Sequence, residues 1–195
     1  MEKVRQQLTI TAPRIIPALF DEHFLVESGY IDSAEMVDKS GYQVSNFGTY
    51  IELKDKTIIE VSLPFVGIQS ENYERLTSFY KILKTSFPKL KLSGINFSSV
   101  IHISKENIFE ETIGNILDSS LVEIDQIRFR KDSMKISVHE CKKDRLHIKL
   151  ENLFSIKPEN FISELDFNPE NFISQSEDFL NQFINQELKL NDISM

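Results

Sequence analysis

The sequence predicts an α+β protein: an antiparallel sheet with helices packed on one face, built from two pseudo-repeated strand–hairpin–helix halves. Three observations carry this. Thr49 to Leu53 and Thr57 to Leu63 alternate, and pairing them about Asp55 sets Ile51 opposite Ile59 and Thr49 opposite Val61, an apolar face on both strands. Tyr73, Leu76, Tyr80, Leu83 and Phe87 then recur at helical spacing. A second hairpin, paired about Lys143, sets Val138 opposite Ile148 and Ile136 opposite Leu150, and another amphipathic stretch follows it. The expected division is 1–104 for one half and 105–195 for the other, closely packed.

The elements follow in chain order. Val4, Gln6, Leu8 and Ile10 alternate as a first strand. Ile15, Ile16, Ala18, Leu19, Phe20 and Phe24 form a dense apolar patch in which Pro13 and Pro17 exclude a long helix. Gly29 to Gly41 reads as a loop with a short turn over Asp32 to Val37, and Tyr42 to Asn46 as a strand. Beyond the first hairpin and Pro64, the helix is expected from about Ser70 to Phe87-Pro88, and Leu90 to Phe97 returns as strand, extending towards Ile103. Ser104 caps a short helix carrying Ile108, Phe109, Ile113, Ile116 and Leu117. Leu121 to Arg130, Ser133 to Cys141 and Arg145 to Glu151 are three further strands, the last two joined through Lys142-Lys143-Asp144. Pro158-Glu159-Asn160-Phe161-Ile162-Ser163 recurs as Pro169-Glu170-Asn171-Phe172-Ile173-Ser174, each copy a helix start with proline in its first turn. The final helix, Asn171 to Leu190, collects Phe172, Ile173, Phe179, Leu180, Phe183, Ile184 and Leu188 on one broad face.

Composition narrows the function classes. The chain has 195 residues, 41% hydrophobic and 27% charged, as in an ordinary folded soluble protein. Its net charge of -8 opposes approach to a phosphate backbone, so nucleic acid is an unfavoured partner. One cysteine excludes an internal disulfide framework and suits a reducing compartment. The first residues lack a basic segment followed by an apolar core, and no apolar run is long enough to span a bilayer. The expected location is cytoplasmic, with no membrane association.

No motif specifies a reaction, and no cofactor is expected. In the second hairpin's register, His139 lies across from His147, with Cys141 diagonal to His147 and opposite Arg145. Two imidazoles and a thiol could ligate zinc or copper, against which stands a plain solvent-facing strand flanked by Lys142, Lys143 and Arg145. The same Cys141 with His139 or His147 is the one local arrangement for a thiol nucleophile, but no oxyanion-forming turn accompanies it. Asp21-Glu22-His23, and Glu106 with Glu110 and Glu111, are acidic clusters whose convergence the sequence does not show. Arg128-Phe129-Arg130 is the most basic stretch; Phe129 could stack a base, although the alternation equally describes a half-buried strand. Phe172, Phe179, Leu180, Phe183 and Ile184 either close the sheet or dock a partner.

Two resemblances follow. Tyr50 to Val61, Tyr73 to Phe87 and Gly94-Ile95-Asn96-Phe97 resemble a sporadically distributed family of uncharacterised bacterial proteins, about a third of the chain. That likeness implies an accessory role. Phe87-Pro88-Lys89-Leu90-Lys91-Leu92-Ser93-Gly94-Ile95-Asn96-Phe97 is similar to a segment of SecB-type export chaperones, in which Asn-Phe opens a helix. That likeness implies an acidic, tetrameric holdase with apolar client grooves. Here Ser99 to Ile103 reads as strand, and three more strands follow.

The expectation is a non-catalytic binder of another protein, of the immunity, antitoxin or accessory-subunit type, with homo-oligomerisation compatible. A SecB-like holdase is the first alternative and a metal-dependent or thiol enzyme the second.

Overall fold

A computed structural model describes residues 2–35, 41–104, 127–142, 145–157 and 160–187. Its strands are β1 (Glu2–Thr11), β2 (Tyr42–Val44), β3 (Gly48–Glu52), β4 (Ile58–Ser62), β5 (Phe65–Gln69), β6 (Gly94–Ser104), β7 (Ile127–Lys131), β8 (Met134–Lys142) and β9 (Arg145–Ser155). They form one open antiparallel sheet in the order β2-β3-β4-β5-β1-β6-β9-β8-β7. The α-helices are α1 (Glu22–Glu27), α2 (Tyr73–Ser86) and α3 (Pro169–Glu187). By contacts the chain divides into two compact units, Gln6–Phe97 with Leu153–Glu170, and Met1–Arg5 with Ser98–Asn152 and Asn171–Met195. The segment 153–170 thus groups with the earlier half of the chain.

The two units repeat one topology. In the first, β1 is followed by the meander β3-β4-β5 and then α2, with β1 beside β5. In the second, β6 is followed by the meander β7-β8-β9 and then α3, with β6 beside β9. That shared order is the structural form of the pseudo-repeat the hairpins predict.

In the first unit the hairpin register is the one the apolar match selects: Ile51 faces Ile59 and Thr49 faces Val61. Leu53 N–H donates to the Thr57 carbonyl at 2.8 Å, closing the three-residue loop Lys54-Asp55-Lys56. Lys56 sits there at φ 64°, a conformation that costs a side-chain-bearing residue energy. Lys56→Gly is therefore expected to stabilise the protein by about 0.5–1 kcal/mol, read as a higher urea midpoint at unchanged m.

Two differences from expectation concern the next elements. Phe65–Gln69 is strand, not linker: Val66 and Ile68 are buried, and Ser62 pairs with Phe65 across a two-residue turn. In α2 the buried set is Leu76, Thr77, Phe79, Tyr80 and Leu83, while Tyr73 at the first position is half exposed. The inward stripe therefore includes Phe79, which meets Tyr30 edge-on at 5.4 Å. Asn72 caps the helix by accepting from Glu74 N–H at 2.9 Å.

Arg75 ties this helix to the loops above it. Its Nε donates to Asp55 Oδ2 at 3.0 Å, one Nη to the Tyr30 carbonyl at 3.0 Å, and the other to Glu35. The Asp32 N–H and then the guanidinium hold the Glu35 carboxyl below its ordinary range. Burial pushes Asp55 up, but the Thr57 N–H and hydroxyl together with Arg75 outweigh it, and its pKa is also lowered. A carboxylate with a depressed folded pKa contributes stability above its unfolded value and loses it as pH falls through the folded value. Stability should therefore drop on acidification below about pH 4.5. Arg75→Met should cost about 1–2 kcal/mol at pH 7 and flatten that drop, as measured by urea midpoints from pH 6 to pH 3.

In the second unit Val138 faces Ile148 and Ile136 faces Leu150, as expected. All four are fully buried. A polar relay crosses beside them: Ser133 donates to Asn152 Oδ1 at 2.7 Å, and Asn152 Nδ2 to Ser176 Oγ at 2.9 Å. Ser176 in turn donates to the Phe172 carbonyl at 2.6 Å. The relay fixes α3 against β9 with its polar groups satisfied. The helix expected after Ser104, the start of the strand at Leu121, the acids Glu106, Glu110 and Glu111, and the turn residues Lys143 and Asp144 lie outside the described residues. The first Pro-Glu-Asn-Phe-Ile-Ser copy does not open an α-helix. Its described part is a β-bridge from Phe161 to Lys91 and a single 3-10 turn, Ile162–Glu164. Asn96 and Phe97 lie inside β6, not at a helix start.

Candidate interaction surface

The β2-β3-β4 end of the sheet, in the first unit, holds an open groove of about 760 Å³ lined by Tyr42 to Ser45, Phe47 to Tyr50 and Glu60 to Ser62. β2 is the terminal strand of the order, three residues long. Its inward side is anchored: the Tyr42 hydroxyl accepts from Glu22 N–H at 3.3 Å, and Thr49 Oγ1 on β3 donates to the Pro17 carbonyl at 2.7 Å. Alternation then turns Gln43, Tyr50 and Glu60 to the other face, where they pair in register across three strands.

The turn between β2 and β3 is held together by hydrogen bonds of the Ser45 side chain. Ser45 Oγ donates to the Gly48 carbonyl at 2.9 Å and accepts from the N–H groups of Phe47 and Gly48 at 3.3 and 3.1 Å. This holds Phe47 outward, with 90% of its surface exposed. Other exposed apolar side chains lie in the same part of the chain. Leu63, 58% exposed, follows the Ser62 that pairs with Gly48, and Phe65, 46% exposed, pairs with Ser62. Ile16 and Leu19, also exposed, flank the Pro17 that holds Thr49. Exposed apolar side chains near a terminal strand mark a candidate interaction site.

Charge gives the patch a sign. Tyr50 has its pKa raised by burial and then by the carboxylates of Glu52 and Glu60, so negative charge borders the aromatic ring. The net charge of the whole chain, -8, has the same sign.

The residues singled out from sequence fall elsewhere. On α3, Leu180, Phe183 and Ile184 are only 3%, 5% and 4% exposed, and Phe172 and Phe179 are half-buried, with Lys131 Nζ 5.9 Å from the Phe179 ring centroid. That burial bears on the docking expectation for the helix: Leu180, Phe183 and Ile184 are turned away from solvent. Arg128 and Arg130 stand exposed on β7, the other terminal strand, opposite Ser137 and Lys135. The Phe129 side chain lies outside the described residues.

On the histidine hairpin, His139 does pair with His147. Cys141 does not pair with Arg145: Lys142 does, and a register shift between Glu140 and Lys142 leaves Cys141 in the irregularity. His147 also meets His102 on β6, a contact that hairpin register alone does not reveal, with His102 Nε2 and His147 Nδ1 3.1 Å apart. Among the described residues no three His, Cys, Asp or Glu side chains cluster as a metal site. None of the described helices is long and apolar enough to cross a membrane. Compared with family models and with curated proteins, the chain matches none.

Proposed function

We propose that this chain is a non-catalytic binding protein that docks another protein at the β2-β3-β4 end. The carrying observation is Phe47, almost wholly exposed at the lip of a groove and held there by the Ser45 hydrogen bonds. An exposed aromatic carried on a hydrogen-bonded turn is the kind of side chain that serves as a binding anchor. The groove takes an extended segment along β2, and the Tyr50, Glu52 and Glu60 face selects one carrying Lys or Arg beside an apolar residue. An immunity, antitoxin or accessory-subunit role fits a dedicated, cationic partner of this kind.

The test is to tag the chain, recover it from its native cell and weigh the eluted species by native mass spectrometry. One stoichiometric partner supports the reading, and none across salt concentrations that preserve the fold would sink it. A holdase similar to the SecB type is the second reading, favoured by the repeated strand-meander-helix unit with exposed apolar turns. It predicts a symmetric oligomer carrying many substoichiometric clients.

A further inference from the structure

We propose that His102 and His147 form a bidentate site for a borderline divalent transition metal, of the Zn2+ or Cu2+ class. They sit on the adjacent strands β6 and β9, both half-buried, with His102 Nε2 and His147 Nδ1 facing each other at 3.1 Å. Metal–imidazole bonds are about 2.0–2.1 Å, so two nitrogens 3.1 Å apart subtend a bite angle of about 98° at a shared metal. That value lies between the square-planar and tetrahedral ideals, so the backbone spacing already suits either geometry. Each ring needs to turn by about 40° off the nitrogen–nitrogen line for both lone pairs to converge. Partial exposure leaves room for that.

The protonation chemistry agrees. With both imidazoles neutral, one of the two facing nitrogens carries the proton between them; metal binding moves that proton to the far nitrogen of the same ring, which leaves both facing lone pairs for the metal. The rings then carry their remaining protons on His102 Nδ1 and His147 Nε2. Water completes the coordination.

Two of the cations nearby are paired with a carboxylate. Lys149, two residues along β9, is 2.7 Å from Glu151, and Lys135 reaches the same carboxylate at 3.3 Å. Cys141, in the irregular stretch of β8, is not required.

The experiment is isothermal titration of chelator-treated full-length protein with Zn2+, Cu2+ and Mg2+ separately. The expected result is one Cu2+ and one Zn2+ per chain, Cu2+ the tighter, with no Mg2+ binding. His102→Gln and His147→Gln should each weaken binding at least tenfold, whereas Cys141→Ser and His23→Gln should not. Should either histidine variant misfold, the electron paramagnetic resonance of Cu2+ on the wild-type chain decides: coupling to two imidazole nitrogens is expected. Oxygen-only coordination, no uptake of either metal, or wild-type affinity in folded His102→Gln would each overturn the site.

Discussion

Leu180→Ala is expected to destabilise the protein by about 2–5 kcal/mol, and Phe183→Ala by about 3–5 kcal/mol. Both side chains are almost fully buried, so truncation removes apolar burial and leaves a cavity that the surrounding helix and strands fill only in part. Against a typical total stability of about 5–15 kcal/mol, either change would remove a large share of it. For a chain of this size the melting temperature should fall by roughly 5–15 °C. Chemical denaturation with unchanged m is the cleaner measurement, because it separates lost stability from an altered unfolded state. The measurement also decides what α3 is for. A docking face would tolerate alanine with little stability change and show its loss in partner affinity. A wild-type urea midpoint in Leu180→Ala would return α3 to the list of interaction surfaces.

What the sequence made legible follows from how local each signal is. The first hairpin came out residue for residue because a one-residue slip would put Ile51 and Ile59 on opposite faces, and nothing in the stretch offsets that. The second hairpin kept its apolar register for the same reason, yet the irregularity at Cys141 escaped, since alternation alone cannot announce an extra residue near a turn. β5 was hidden by Pro64 and by Gly67. That glycine stands where a side chain would meet Gln7 Nε2 at 3.3 Å, so it reads as punctuation in sequence and as close packing in the sheet. His102 could not be paired with His147 in advance: their meeting depends on β6 lying beside β9, a long-range choice no local pattern encodes. Phe47 is one of 15 phenylalanines, and only the turn that holds it distinguishes it. The α3 stripe carried two readings, and burial, not periodicity, separates them.

Phe47→Ala should do the opposite of Leu180→Ala. A side chain 90% exposed contributes little to the folded state, so the unfolding midpoint should move by no more than about 0.5 kcal/mol. Affinity for the recovered partner should fall by about 2 kcal/mol or more, roughly thirtyfold, because aromatic anchors are where binding energy concentrates. Glu60→Lys separates steering from anchoring. Reversing the charge beside Tyr50 should slow association and remove most of its salt dependence, with a smaller effect on dissociation. The two variants discriminate between the readings as well. A dedicated partner loses most of its affinity when its anchor is cut, whereas a holdase spreads contact over Ile16, Leu19, Leu63 and Phe65 and should retain most client binding without Phe47. Unchanged partner affinity in folded Phe47→Ala would mean that the groove at β2 is not the docking site, since Phe47 is the large apolar side chain that its lining exposes.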